Sequence, residues 1–267
     1  DCVRFLRVPK AFSRGELVKL EESAKEVGAR GLAYLVYDDA SEVRSPIAKF
    51  LSAEELAAFR SDPGSTVLFA ADTPELVSRV LGALRLHLGR SLGLIDEEGW
   101  RFVWVTDFPM FEWSEEDARW VARHHPFTRP APEWETNFDE DPGSALAYAY
   151  DLVGNGQELG GGSFRMHEPD LQARVFTLLQ LSEEEQRTRF GFLLEALAMG
   201  APPHGGIAFG IDRMMMVLAR EPNLRDVIAF PKNQAGVDPM SGAPSEIEEE
   251  QLRELGIELR RRPGQGS

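Results

Sequence analysis

The sequence has one cysteine, Cys2, in 267 residues. No intramolecular disulfide can form, and no Cys/His set has the spacing of a zinc finger. A reducing cytoplasm is the default compartment for such a chain. No run of about 18 apolar residues occurs, so no membrane span is expected. The best apolar stretch, Ile207 to Ala219, is broken by Asp212 and Arg213. The N-terminus lacks a signal h-region, and Asp1 stands where an initiator methionine would, which points to a fragment. Positive charge is also scarce. Against 44 Asp and Glu there are 29 Lys and Arg, a formal charge of −15. A chain this acidic does not grip nucleic acid through its net field. RNA contact would need a local basic patch, and the one dense run, Arg260-Arg261-Arg262, reads as a solvated tail.

Apolar residues make up 43% of the chain, enough for a real core in one large domain or two smaller ones. Two textures are present. Residues 1–102 alternate short strands with capped helices and carry nothing that looks catalytic. Ser13 with Glu16 forms a capping box for a helix that Gly28 stops, and Ser52 with Glu55 forms another. Leu32 to Tyr37 and Thr66 to Ala70 read as strands. Thr73-Pro74 opens a helix to about Leu88. Residues 103–267 differ. Phe102 to Val105 and Leu146 to Val153 read as strands, and the Pro-rich, acidic stretch 129–145 reads as a surface loop. Ser182 with Glu185 caps a helix to about Met199. Ile211, Met214, Met215 and Leu218 fall at helical spacing, which predicts core packing.

The chemistry concentrates between Tyr150 and Arg165. Asn155-Gly156 signals a two-residue type I′ hairpin turn. That register pairs Val153 with Glu158 and Asp151 with Gly160. Asp151 and Glu158 then share a face as diagonal neighbours, about 7–8 Å apart. Two carboxylates at that reach can share Mg²⁺ through oxygens and waters; a solvated acidic pair is the competing reading. Regular pairing leaves Arg165 on the wrong face. A β-bulge within Gly160-Gly161-Gly162 would shift the phase by one and bring its guanidinium beside the carboxylates. Such a fork clamps a substrate carboxylate.

In a second stretch, Gly205 to Arg213, a glycine-bounded strand turns into a helix with Arg213 in its first turn. Helix N-termini and arginine both favour phosphate. In a third, His124-His125 opens a loop, and at most one of two adjacent histidines is expected to face a ligand. A zinc site from His124, His167 and His204 has no spacing to support it. No Walker A pattern occurs.

Together these stretches resemble the bacterial-type aspartyl-tRNA synthetases, a class II family. The resemblance rests on Asp107 to Phe111, His124 to Thr128, the hairpin through Arg165, Pro202 to Gly206 and Phe230 to Asn233, all in family order. Gly205 to Arg213 looks like motif 3. Gly31 to Tyr34 and Ser45 to Leu51 resemble the family's GAD insertion domain. The implied fold is α+β: a small α/β GAD-like domain over 1–102, then over 103–267 the C-terminal half of a class II catalytic domain, an antiparallel sheet flanked by helices. The implied reaction activates L-aspartate with ATP and transfers it to tRNA, for aspartate or also for asparagine. Glu158 would contact ATP and its Mg²⁺, with Asp151 sharing the metal. Gly210, Ile211, Asp212 and Arg213 would lie on ATP, Arg213 on the γ-phosphate. Arg165 and His124 would bind aspartate. The resemblance also implies a homodimer. The family's anticodon-binding barrel and motifs 1 and 2 have no counterpart here, so the chain alone is expected to be inactive and to expose an apolar face. A truncated paralogue that charges no tRNA, and an aspartate–ammonia ligase, remain open alternatives.

Overall fold

A computed structural model describes residues 2–38 and 43–259. The Arg260-Arg261-Arg262 run and the tail from Gly264 lie outside the described residues. The chain divides into two compact units, Asp1–Gly99 and Trp100–Ser267.

The first unit runs β1 (Cys2–Val8), α1 (Arg14–Glu26), β2 (Ala33–Tyr37), β3 (Val43–Arg44), α2 (Ala53–Ala58), β4 (Ser65–Asp72) and α3 (Pro74–Ser91). The sheet order is β1-β4-β2-β3, antiparallel throughout. Local chemistry sets the helix ends. Ser13 N–H donates to Glu16 Oε2 at 2.8 Å, closing the expected capping box. Gly28, at φ +109°, provides the left-handed residue that ends α1. Strand β4 is apolar without alternation because it packs on both sides. Leu68 faces Leu20, Val77 and Val80 of α1 and α3. Val67 and Phe69 face Leu56 and Phe59. The sequence signals no strand at Cys2–Val8, yet β1 pairs along β4 from Cys2↔Asp72 to Val8↔Thr66.

The second unit contains β5 (Phe102–Val105), β6 (Phe108–Pro109), β7 (Phe111–Ser114), β8 (Arg119–Ala122), β9 (Leu146–Ala147), β10 (Ala149–Gly154) and β11 (Gln157–Phe164), then α4 (Pro169–Leu178), α5 (Glu183–Ala198), β12 (Gly205–Phe209), α6 (Ile211–Ala219) and α7 (Glu249–Glu254). Its main sheet is antiparallel, in the order β12-β11-β10-β5. Helix α6 packs against β11, and α4 against α5. The core gathers Met110, Phe111, Phe138, Met166 and Val175.

Three expectations need correction here. The strand expected over Leu146 to Val153 breaks at Tyr148, whose N–H donates to Arg129 O at 2.8 Å. The stretch 129–145 is not simply surface, because Phe138 and Ala145 are fully buried. The α6 stripe is not core. Ile211 and Leu218 are 66% and 58% exposed, and only Met216 is buried. Helix α6 packs on β11 and on the turn at 224–227, which leaves most of its apolar stripe uncovered. Edge strand β5 is likewise apolar and exposed, with Phe102 and Trp104 more than half accessible.

Candidate functional site

The site grows from the β10–β11 hairpin. Asn155 and Gly156 both take positive φ, 48° and 80°, as a type I′ turn requires. Gly154↔Gln157 and Val153↔Glu158 pair as expected. The register then shifts, so Leu152 pairs with Gly160 and Asp151 with Gly161. The bulge is therefore at Leu159, ahead of the glycine triplet rather than within it. Its cause is packing. Leu159 is buried, lining an apolar cavity with Phe102, Met214 and Val217.

The phase change works as the chemistry needs. Glu158, Asp151, Gly161 and Ser163 now share one face, and Arg165 lies two residues on. The glycines answer to sterics. A Cβ on Gly161 would sit 2.5 Å from Asp151 Oδ1 and 3.6 Å from Glu158 Oε1. A Cβ on Gly162 would collide with Gly206 O of β12. Backbone and carboxylates approach only because those side chains are absent.

The two carboxylates feel each other. Burial, then the Glu158 charge, raises the Asp151 pKa, and His124 opposes the shift. His124 in turn is lowered by burial, with Asp151 pulling the other way. It packs edge-on against Phe108. Arg213 reaches in from α6, where Nη1 donates to Glu158 O at 3.1 Å and pairs with Glu158 Oε2 at 3.2 Å. Gly210 is the α6 N-cap, and its N–H donates to Leu159 O at 2.9 Å. Ile211 and Asp212 are exposed in the first turn. Asp151, Glu158, Arg213 and His124 thus form one cluster. Among the described residues no group of three or more His, Cys, Asp or Glu could hold a metal, so the zinc set is not assembled.

Arg165 stands apart from that cluster. It lies four residues past Gly161, roughly 13 Å along the strand direction. It lines a cavity of about 400 Å³ with His125, Phe127, Leu197, His204 and Gly206. Neither carboxylate lines that cavity. Arg165 Nη1 donates to Ser163 Oγ at 2.8 Å and lies against the His125 ring. Burial works against its charge. Two of these residues, Ser163 and His125, are not among those the sequence singles out. Ser163 was accessible from the period of two. Nothing local separates His125 from His124.

A further network has no signal in the sequence. Arg129 Nε donates to Glu135 Oε1 at 2.6 Å, and its Nη1 and Nη2 grip Glu168 at 2.6 and 3.0 Å. It ties the loop at 129–135 to the start of α4.

Comparison with known proteins adds the following. Residues 7–234 match the family described as tRNA synthetases class II (D, K and N). An aspartate–tRNA(Asp/Asn) ligase of Geotalea uraniireducens is 53% identical over 250 residues, 92% of this chain and 42% of the relative. An aspartate–tRNA ligase of Oceanobacillus iheyensis is 51% identical over 252 residues, 93% of this chain and 42% of its own. The chain therefore spans about 42% of the length of these curated relatives. Among solved structures, an aspartyl tRNA synthetase from Entamoeba histolytica aligns over 58% of this chain and 27% of its own, at 22% identity and TM-score 0.40.

Proposed function

We start from a chain that belongs to the class II tRNA synthetases (D, K and N), and we propose that it provides the C-terminal part of an aspartate–tRNA ligase. The substrates are L-aspartate, ATP and tRNA, for aspartate or also for asparagine. The first unit is the GAD-like insertion, and the second is the motif 3 half of the catalytic domain. The protein works in the cytoplasm as a homodimer. No described helix is long and apolar enough to cross a membrane.

The observation that carries this reading is the Asp151–Glu158–Arg213 cluster on a bulged hairpin that also phases Arg165. The donor set suits Mg²⁺. Two carboxylates share a face, and their mutual repulsion is what a cation between them would relieve. Mg²⁺ is commonly held by one or two carboxylates, with waters and substrate phosphates completing its shell. When bound it would offset phosphate charge. Glu158 and Gly210 to Arg213 lie along ATP, with Arg213 on the γ-phosphate. His124 and Arg165 hold aspartate, Arg165 by the side-chain carboxylate. The substrate's α-carboxylate oxygen attacks the α-phosphorus, and the bond to the pyrophosphate oxygen breaks. A terminal tRNA hydroxyl then attacks the acyl carbon of the adenylate and expels AMP. No protein nucleophile takes part. The residues position charge against charge.

The test is aspartate-dependent ATP–pyrophosphate exchange by a chimera in which this chain replaces the matching part of the Geotalea uraniireducens ligase. Exchange is expected in the chimera, and little or none in the chain alone. A folded chimera with no exchange, beside an active parent, would sink the proposal.

A further inference from the structure

We infer that Gln172 is a positioning residue for the aspartate site, acting through the backbone carbonyl of Pro126. The inference rests on the aspartate reading above and adds a residue that touches no substrate.

Pro126 is the weak point of the loop that carries His124 and His125. A proline has no N–H, so its carbonyl is the one backbone group it can tie. Its neighbours are fixed by the strand end that bears Arg165. Met166 N–H donates to Phe127 O at 3.1 Å, and Thr128 bridges to Arg165. Those bonds hold the loop from one side and leave Pro126 out. Gln172, one turn into α4, closes the other side, where its Nε2 donates to Pro126 O at 2.8 Å.

The orientation of the amide is fixed by its partner. A carbonyl only accepts, so the Gln172 nitrogen must face Pro126 O. Its Oε1 is buried, and no donor among the described residues bonds to it. The whole residue is 3% exposed. Its surroundings are apolar, with Met166, Phe176, Leu194 and Leu197 lining the same cavity. A buried carbonyl without a donor costs about as much as the amide's one bond returns. A methionine of similar reach would fill this place without that cost. Stability therefore does not account for a glutamine here, and the tie to Pro126 does.

The turn that carries Gln172 is itself anchored. Glu168, the N-cap of α4, is gripped by Arg129 Nη1 and Nη2 at 2.6 and 3.0 Å. Gln172 N–H donates to Glu168 O at 3.1 Å. From that base the side chain sets where the loop places His125 against Arg165 and His124 by Asp151.

Two measurements test this. The first compares the chain itself with Gln172→Met, by urea melt and by amide hydrogen exchange. The urea midpoint is expected to change little, while the Phe127 and Thr128 amides exchange about tenfold faster. Unchanged exchange at both amides overturns the inference without reference to activity. So does a large fall in the midpoint, which would make Gln172 an ordinary core residue. The second is pyrophosphate exchange in the chimera. Gln172→Met is expected to raise the aspartate KM about tenfold, with the ATP KM little changed. Gln172→Asn keeps the amide but ends short of Pro126 O, so it should lose as much; it also serves where the methionine protein does not fold. An unchanged aspartate KM in either folded variant overturns the inference. So does an equal loss for ATP and aspartate, which a general loosening of the domain would give. Failure of the unsubstituted chimera is a different result, which removes the ligase reading and this inference with it.

Discussion

Gly161→Ala separates a steric demand at the site from ordinary strand propensity. The added Cβ would lie 2.5 Å from Asp151 Oδ1, where ordinary contact begins near 3.4 Å. Asp151 has a short side chain on the paired strand, directly opposite at Asp151↔Gly161, so it cannot swing away as a lysine would. The carboxylate must move by about 1 Å. A displacement of that size in a positioned group costs about a hundredfold in rate. Overpacking adds about 1–3 kcal/mol of lost stability. Gly156→Ala is the control. It meets nothing within 4 Å but has φ +80°, so only its backbone is strained. It should lose about 1 kcal/mol and keep full exchange activity. Urea melts of the chain and pyrophosphate exchange in the chimera read the two effects separately. If Gly161→Ala exchanges within about twofold of the parent chimera, the placement of Asp151 at the reacting phosphates is wrong.

Other substitutions probe the rest. Arg165→Lys replaces a planar fork by a point charge. Losing one charge-assisted bond of about 1.5–3 kcal/mol should raise the aspartate KM roughly 10- to 100-fold; an unchanged KM would remove Arg165 from the substrate. Ser182→Ala opens the capping box of α5, where Ser182 N–H now donates to Glu185 Oε2 at 3.0 Å. It should cost about 1 kcal/mol in a urea melt, and no cost would mean that the box contributes nothing. Acid should destabilise the second unit through His125, whose folded pKa is pushed from 6.5 down to about 4. Between those values the unfolded chain binds the extra proton, so stability falls as pH falls through that window. Allowing for partial exposure, the loss is on the order of 2 kcal/mol, and it should vanish in His125→Gln. Equal acid sensitivity in both proteins would refute the assignment.

What the sequence made legible was local, and what it hid was decided across strands. Asn155-Gly156 dictates its turn from two residues, and each Ser-x-x-Glu box closes within one helical turn. The period of two also shows that Arg165 needs an odd residue upstream to face the carboxylates. It cannot say which residue is odd. Three glycines suggest a place where the ladder yields, but they serve other neighbours, Phe209 for Gly160, Asp151 for Gly161, and Gly206 and Tyr150 for Gly162. Leu159 bulges because its side chain buries against Phe102 and Met214, residues 57 and 55 positions away. The same non-local logic exposes the α6 stripe. Helical spacing shows that Ile211, Met214, Met215 and Leu218 share a face, not that anything covers it. The two histidines follow suit, since only the fold reveals that His124 lies by Asp151 while His125 lies by Arg165. Adjacent side chains that point apart can address opposite ends of one small substrate. His124 sits by Asp151 and His125 by Arg165. On that geometry the two rings have separate surroundings, and His124→Leu should raise the aspartate KM in the exchange assay; an unchanged KM would remove His124 from the substrate.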